Sequence, residues 1–170
     1  MPISSTEGKA EFVQFITDLK PDSILDIGAG KGIYGTLARI AHEVPVIDAV
    51  EVWQPYIDEY NLKDLYNNVY NLDARDVDDF AYNVVIFGDV LEHMTKDEAV
   101  ALWDKCSKEA DYGIISIPIV HYPQGHIHDN PYEEHVKDDW TLQEVFNSFH
   151  SIYMLRAYDV VGVFYAKFNK

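Results

Sequence analysis

SILDIGAGKG, residues 23–32, joins a short apolar run to three closely spaced glycines, Gly28, Gly30 and Gly32. An apolar run of this length is typical of a buried β-strand, and residues 33–42 resume helical spacing. Glycine has no Cβ, so its backbone can approach a ligand closely. The stretch therefore predicts a strand, a ligand-binding loop and a helix.

The glycine spacing excludes two common classes of nucleotide site. A dinucleotide site of the form G-x-G-x-x-G requires glycine at position 33, which is Ile33 here. A phosphate-binding P-loop requires serine or threonine after Gly-Lys, whereas Lys31 is followed by Gly32. The remaining pattern is an acidic residue, Asp26, followed by G-x-G-x-G.

Apolar runs alternate with helical patterns along the rest of the chain. Strands are predicted at 23–27, 46–52, 69–72, 83–88, 113–117, 151–157 and 160–168, and helices at 7–19, 33–42, 55–66, 96–110 and 141–149. Such alternation is typical of right-handed crossovers and a parallel sheet, but the turn between the last two strands is too short for a crossover. We therefore predict an α/β fold with a doubly wound, mostly parallel seven-stranded sheet and a C-terminal antiparallel hairpin.

Composition and charge limit the possible partners. A chain of 170 residues is the size of one domain, so residues 1–170 are expected to form one. The net charge of -16 disfavours nucleic acid and anionic membranes, and no apolar run is long enough to span a bilayer. The N-terminus lacks the pattern of a secretory signal, so a cytoplasmic protein is expected. Cys106 is the only cysteine, which excludes an intramolecular disulfide, and its helical spacing predicts a buried residue.

Residues 118–139 have no clear period and are rich in histidine. A long segment of this kind inside a compact domain is usually functional, and we predict a lid over the site. The side chains in it that fit a divalent metal are His121, His126, His128, Asp129, Glu134 and His135. No pair of them has the spacing of a well-defined metal motif, so no metal ligand is predicted. Substrate contacts are the preferred role for His121, Tyr122, Glu134 and His135.

Three motifs occur in the order and spacing of a known family. They are Asp26 with the glycine loop, NLDARD at 71–76 and VVIFGDVLEHM at 84–94. In this respect the chain resembles the class I S-adenosylmethionine-dependent methyltransferases of single-domain, small-molecule type. The resemblance covers nearly the whole chain and implies S-adenosylmethionine as the cofactor, on a Rossmann-like fold.

The resemblance assigns roles to residues at the ends of the predicted strands. Asp26 would help to hold the methionine ammonium group, although an acidic residue there can also serve only as a cap or an ion-pair partner. Glu51, about twenty residues after the loop, stands where a carboxylate would bind the ribose hydroxyls. Trp53 either stacks on the adenine or packs in the core. The cofactor-binding set is completed by Gly28, Ala29, Gly30, Val52, Asp73, Ala74, Asp89 and Val90.

His93 is the first catalytic candidate, because it follows the fourth strand, where ligand chemistry occurs in doubly wound folds. An imidazole can accept a proton from an oxygen or nitrogen nucleophile near neutral pH. The alternative is that His93 only orders its loop or packs on Glu92. His121 and His135 are further catalytic candidates, and Tyr122 and Glu134 are substrate-binding candidates.

The resemblance implies methyl transfer to an oxygen or nitrogen atom of a small acceptor. The protein is expected to be a monomer or a homodimer. Two other classes of function are compatible with the same motifs. One is a non-catalytic module that binds S-adenosylmethionine or S-adenosylhomocysteine, and the other is a different reaction on the same cofactor, such as lyase chemistry at the sulfonium. A fold alone does not choose among them.

Overall fold

A computed structural model describes residues 6–168 of the chain. Seven strands form one sheet: β1 (Ser23–Ile27), β2 (Val46–Val50), β3 (Val69–Tyr70), β4 (Val84–Gly88), β5 (Tyr112–Pro118), β6 (Ile152–Ala157) and β7 (Val161–Lys167). The α-helices are α1 (Lys9–Leu19), α2 (Ile33–Ala41), α3 (Gln54–Glu59), α4 (Leu62–Leu65), α5 (Lys96–Glu109) and α6 (Leu142–Ser148). Short 3₁₀-helices occur at Ala74–Asp76, Leu91–His93 and Pro131–Glu133.

The strands lie in the order β3-β2-β1-β4-β5-β7-β6. The first five strands pair in parallel, whereas β7 is antiparallel to both β5 and β6. The predicted fold class is therefore confirmed, including the terminal hairpin. Chain order reverses between β1 and β4, and ligands of open α/β sheets bind beside the carboxyl ends of the strands at such a point.

Apolar side chains fill both faces of the sheet, because the central strands are covered by helices on each side. All five residues of β4 are buried. On one face Trp103 of α5 packs against Phe87, Phe149 and Phe168, with ring centroids 5.9, 5.7 and 5.1 Å away. On the other face Phe12 of α1 belongs to the core. Cys106 is buried, as predicted.

The predicted helix at 55–66 is wrong in one respect, because two short helices occupy this segment. Asn61 has a φ of 51° and lies between α3 and α4. This left-handed conformation interrupts the helical hydrogen bonds, and asparagine adopts it more readily than most residues do. The break leaves Tyr66 outside α4, with its hydroxyl against Asp26.

The segment 118–139 is fixed by backbone hydrogen bonds to the rest of the chain and to itself. The amide of Lys137 donates to the carbonyl of Glu92 at 3.0 Å, and the amide of Tyr122 donates to the carbonyl of Asp138 at 2.8 Å. Within residues 6–168, none of the helices combines the length and apolar character needed to cross a bilayer.

Candidate active site

A cavity of about 560 Å³ opens at the carboxyl ends of β1, β2 and β4, at the reversal of strand order. This volume is in the usual range for a small-molecule site. One wall comes from the loops after these strands and the opposite wall from the segment 118–139. The predicted cofactor residues that line it are Gly28, Ala29, Gly30, Glu51, Val52, Asp73, Ala74, Asp89 and Val90.

The glycine loop is shaped by its backbone conformation and by close packing. Gly28 and Gly30 have φ values of 69° and 51°, which favour glycine. The amides of Gly28 and Ala29 both donate to the carbonyl of Val50, at 2.8 and 3.1 Å. A Cβ on Gly28 would lie 2.3 Å from Cγ2 of Val90, whereas a Cβ on Gly30 would meet only a carbonyl oxygen at 3.9 Å.

Alanine substitutions should therefore have unequal effects at these two glycines. Gly30→Ala is expected to lower the free energy of unfolding by about 1 kcal/mol, because alanine is strained at a positive φ. Gly28→Ala should lower the free energy of unfolding by about 2–3 kcal/mol, because the steric clash with Val90 adds to the same backbone strain. Urea denaturation measures both losses.

A double variant isolates the steric contribution. In Gly28→Ala/Val90→Ala the loss should be smaller than the sum of the two single losses, because the colliding methyl group is gone. Equal losses for Gly28→Ala and Gly30→Ala would contradict the steric explanation.

Glu51 connects the glycine loop to the end of β2. It is 5% exposed, and its two carboxylate oxygens accept hydrogen bonds from the amides of Gly30 and Trp53, both at 2.8 Å. Burial raises the pKa of this carboxyl, and the two amides partly oppose the shift. Each oxygen keeps a second lone pair, so the carboxylate can still accept hydrogen bonds from ligand hydroxyls.

Asp26 does not line the cavity, so its predicted contact with the ammonium group stays a prediction. The residue is 1% exposed, and its Oδ2 accepts a hydrogen bond from the hydroxyl of Tyr66 at 2.5 Å. Burial raises the pKa of Asp26 to about 7, while the Tyr66 hydrogen bond and the Lys9 ammonium oppose the increase. In this geometry Asp26 connects the end of β1 to Tyr66.

Asp89 follows β4 and has an unusual backbone for a non-glycine residue, with a φ of 58°. Such conformations are concentrated at functional sites. Its Oδ1 accepts a hydrogen bond from the hydroxyl of Ser116 at 2.8 Å, while its Oδ2 is buried without a partner among residues 6–168. A buried carboxylate oxygen of this kind is suited to a positively charged ligand group.

His93 and His135 both line the cavity and contact each other edge to face, with ring centroids 4.9 Å apart. Nδ1 of His93 lies 3.0 Å from the carbonyl of Glu134, and Nδ1 of His135 lies 2.6 Å from the carbonyl of Tyr122. Burial lowers the pKa of both imidazoles. Their neutral forms are therefore favoured.

The other predicted residues divide between the cavity and its surroundings. Tyr122 lines the cavity, whereas the side chain of His121 is 70% exposed and its Nε2 lies 3.4 Å from Asp138. Glu134 contributes its carbonyl to His93, and its carboxylate lies 3.5 Å from His126. Trp53 is outside the lining, and its ring lies 6.3 Å from that of Tyr132.

Sequence reasoning missed several residues of the cavity wall, of which Glu92 is the most buried carboxylate. Glu92 is 2% exposed, and its Oε2 has no partner in the described part of the chain. Burial, followed by the charge of Asp89, raises the pKa of Glu92 well above its usual value. The only sign in the sequence that Glu92 belongs to the site was its position directly before His93. Tyr34, Gln124, Asn130, Tyr132 and Glu133 also line the cavity.

Several solved methyltransferase structures have the same architecture, although their sequences are distant. The N-terminal domain of EvdMO1 with SAH bound is 16% identical, with a TM-score of 0.69 over 97% of this chain and 82% of that one. An S-adenosylmethionine-dependent methyltransferase from Clostridium acetobutylicum is 10% identical, with a TM-score of 0.74 over 99% and 94%.

A third similar structure is 1,6-didemethyltoxoflavin-N1-methyltransferase of Burkholderia thailandensis, with bound 1,6-didemethyltoxoflavin and S-adenosylhomocysteine. It is 13% identical, with a TM-score of 0.65 over 96% of this chain and 79% of that one. No protein-family model and no curated protein matches the sequence. The chain thus has the Rossmann-like fold of the S-adenosylmethionine-dependent methyltransferases.

Proposed function

We propose that this protein is an S-adenosylmethionine-dependent methyltransferase that acts on a small-molecule acceptor at oxygen or nitrogen. The observation that carries the proposal is the hydrogen bond between the Gly30 amide and the Glu51 carboxylate, at 2.8 Å on the cavity wall. It joins the two features that a ribose-containing ligand requires in this fold, an approachable glycine backbone and a carboxylate at the end of β2.

The cavity residues fit the three parts of the cofactor. Glu51 would accept hydrogen bonds from the ribose hydroxyls, and Asp73 and Ala74 would border the adenine. Asp89, with its unpartnered Oδ2, would face the positively charged methionine end. Among the described residues, the lining includes five carboxyl side chains but only two cationic ones, Lys31 and Arg75, which supports a ligand that carries both an ammonium and a sulfonium group.

When bound, S-adenosylmethionine supplies an electrophilic methyl group on a sulfonium that is already a good leaving group. The protein's contribution is to position the acceptor and to exclude water. His93 and His135 favour the neutral form, so either ring can accept a proton from the acceptor's hydroxyl or amine. The segment 118–139 encloses the acceptor through Tyr122 and His135.

The acceptor is proposed to be neutral or cationic, because the chain has a net charge of -16. The proposal also includes a single domain with segment 118–139 as its lid. We expect the protein to act in the cytoplasm as a monomer or homodimer and not to bind nucleic acid. The similar structure of 1,6-didemethyltoxoflavin-N1-methyltransferase, which has the small molecule 1,6-didemethyltoxoflavin bound, supports a small acceptor.

Binding and turnover are tested separately. S-adenosylmethionine and S-adenosylhomocysteine are titrated into the purified protein by calorimetry, with NADH as control, and we expect micromolar binding of the first two only. Transfer of an isotope-labelled methyl group is then measured with a panel of phenols, sugars and amines.

Each alternative has its own outcome in this experiment. Absence of binding would contradict the proposal, and NADH binding would favour a dehydrogenase despite Ile33. Binding with intact cofactor throughout the panel would favour a non-catalytic module. Consumption of the cofactor without a methylated product would favour a different reaction at the sulfonium.

A further inference from the structure

Three side chains on one side of the cavity place potential metal ligands close together. Glu92, His93 and His135 each offer one ligand atom, and these atoms all lie within 4.8 Å of one another. Glu92 and His93 belong to the 3₁₀-helix after β4, whereas His135 belongs to segment 118–139. The fold therefore assembles the cluster from two parts of the chain that are 42 residues apart, counted from His93 to His135.

Both imidazoles are oriented in the way that metal-binding histidines usually are. Their Nδ1 atoms lie at hydrogen-bond distance from backbone carbonyl oxygens, which accept but do not donate. Nδ1 must therefore carry the hydrogen in each ring, which leaves the lone pair on Nε2. A hydrogen bond from the second ring nitrogen to a carbonyl is the usual support for a metal-bound histidine.

Glu92 provides an independent sign that a cation belongs here. Its side chain is 2% exposed and lines the cavity, and its Oε2 has no hydrogen-bond partner within residues 6–168. Oδ2 of the neighbouring Asp89 is likewise buried and without a partner in that range. Buried carboxylates are normally paired or bound to a metal, because an uncompensated charge is unfavourable away from water.

We propose that Glu92, His93 and His135 form a binding site for one divalent first-row transition metal ion, such as Zn²⁺, Co²⁺ or Fe²⁺. Two imidazoles with one carboxylate suit these ions, whereas Mg²⁺ and Ca²⁺ prefer oxygen ligands alone. Bonds of about 2.0–2.2 Å in a tetrahedral site place ligand atoms roughly 3.3–3.6 Å apart. The ligand atoms lie within 4.8 Å of one another, so their separations must shorten by up to about 1.5 Å when an ion binds.

The proposed ligands differ from the candidate metal ligands that the sequence of the histidine-rich segment 118–139 suggests. Only His135 of that segment takes part, while His121 and His126 pair with Asp138 and Glu134 outside the cavity lining. All three proposed ligands line the cavity. An open coordination position would therefore face the space where the acceptor binds.

The location of the proposed metal ion also bears on the identity of the acceptor. This step rests on the proposed methyl transfer. A metal ion lowers the pKa of an oxygen ligand, so an acceptor hydroxyl bound there would release its proton to water at neutral pH. In the metal-bound protein the ion would therefore replace His93 and His135 as the group that activates the acceptor, because their Nε2 lone pairs are bound to it. The oxygen then forms its bond to the methyl carbon while the carbon–sulfur bond breaks and the sulfur keeps the electron pair. The site thus favours a hydroxyl acceptor over an amine.

The test measures metal binding directly on the full-length protein. The protein is treated with EDTA, which is then removed, and Co²⁺ is titrated while its visible absorption is recorded. Calorimetry with Zn²⁺ and with Mg²⁺ follows. We expect one Co²⁺ or Zn²⁺ ion per chain and at least about 100-fold weaker binding in Glu92→Gln and His135→Asn, since each lacks a ligand.

His126→Asn is the matched control, because it removes a histidine of the same segment and should bind Co²⁺ like the wild type. Circular dichroism and S-adenosylhomocysteine binding by the metal-free variants establish that they fold. The proposal is overturned if the wild type binds no ion, if the two ligand variants keep wild-type affinity, or if Mg²⁺ binds more tightly than Zn²⁺. Metal binding without any binding of S-adenosylhomocysteine would contradict the methyltransferase function and leave the metal site intact.

Discussion

Glu51→Ala is expected to weaken the binding of S-adenosylhomocysteine by about 100- to 10,000-fold. The variant loses the carboxylate that would accept the ribose hydroxyls, and hydrogen bonds to charged groups contribute about 1.5–3 kcal/mol each. It also leaves the amides of Gly30 and Trp53 without their acceptor, so the glycine loop loses its connection to β2. Calorimetric titration of both proteins measures the effect.

Two further variants separate charge from shape at this position. Glu51→Gln keeps the size and one carbonyl oxygen, and should bind with an affinity between those of the wild type and Glu51→Ala. Glu43→Ala removes an exposed glutamate that lies before β2 and should leave the affinity unchanged. Wild-type affinity in Glu51→Ala would show that the ribose is held elsewhere.

Asp26→Asn should make the stability of the ligand-free protein less dependent on pH. The pKa of Asp26 is raised from 3.8 to about 7, so the folded state keeps a proton that the unfolded state has already lost. Stability from this group is therefore greatest below the unfolded pKa and falls as pH rises, by about 1.4 kcal/mol per unit until the folded pKa is reached. Between pH 5 and pH 7 the variant should gain about 2 kcal/mol relative to the wild type.

Urea denaturation at pH 5, 6, 7 and 8 measures this difference. Tyr66→Phe provides the comparison, because it removes the hydrogen bond that opposes the effect of burial. In that variant the decline in stability should continue to a higher pH than in the wild type. A difference between Asp26→Asn and wild type that stays constant from pH 5 to pH 7 would contradict the assigned shift.

The parts of the fold that could be predicted from the sequence are those determined by local patterns. The central strands are short, mostly apolar runs, and the spacing of Gly28 and Gly30 reflects backbone conformations that glycine adopts easily. Glu51 could be placed because its position depends only on the lengths of β1, α2 and β2. These features require no knowledge of distant contacts.

The parts that could not be predicted depend on contacts between distant segments. Asp26 accepts a hydrogen bond from Tyr66, 40 residues later in the chain. Tyr66 follows the helix that begins after Asn61, and nothing in the periodicity of 55–66 indicates the break there. The histidines of segment 118–139 look equivalent in sequence. The path of the backbone brings His135 to His93 and leaves His121 in solvent.

Hydrogen bonds connect the 3₁₀-helix at Leu91–His93 to segment 118–139. The carbonyl of Glu134 orients the ring of His93, and the amide of Lys137 is bound to the carbonyl of Glu92. Any displacement of segment 118–139 would break both hydrogen bonds and would move His135 away from His93. The width of the cavity and the arrangement of the side chains at its edge are therefore coupled, so that neither can change without the other.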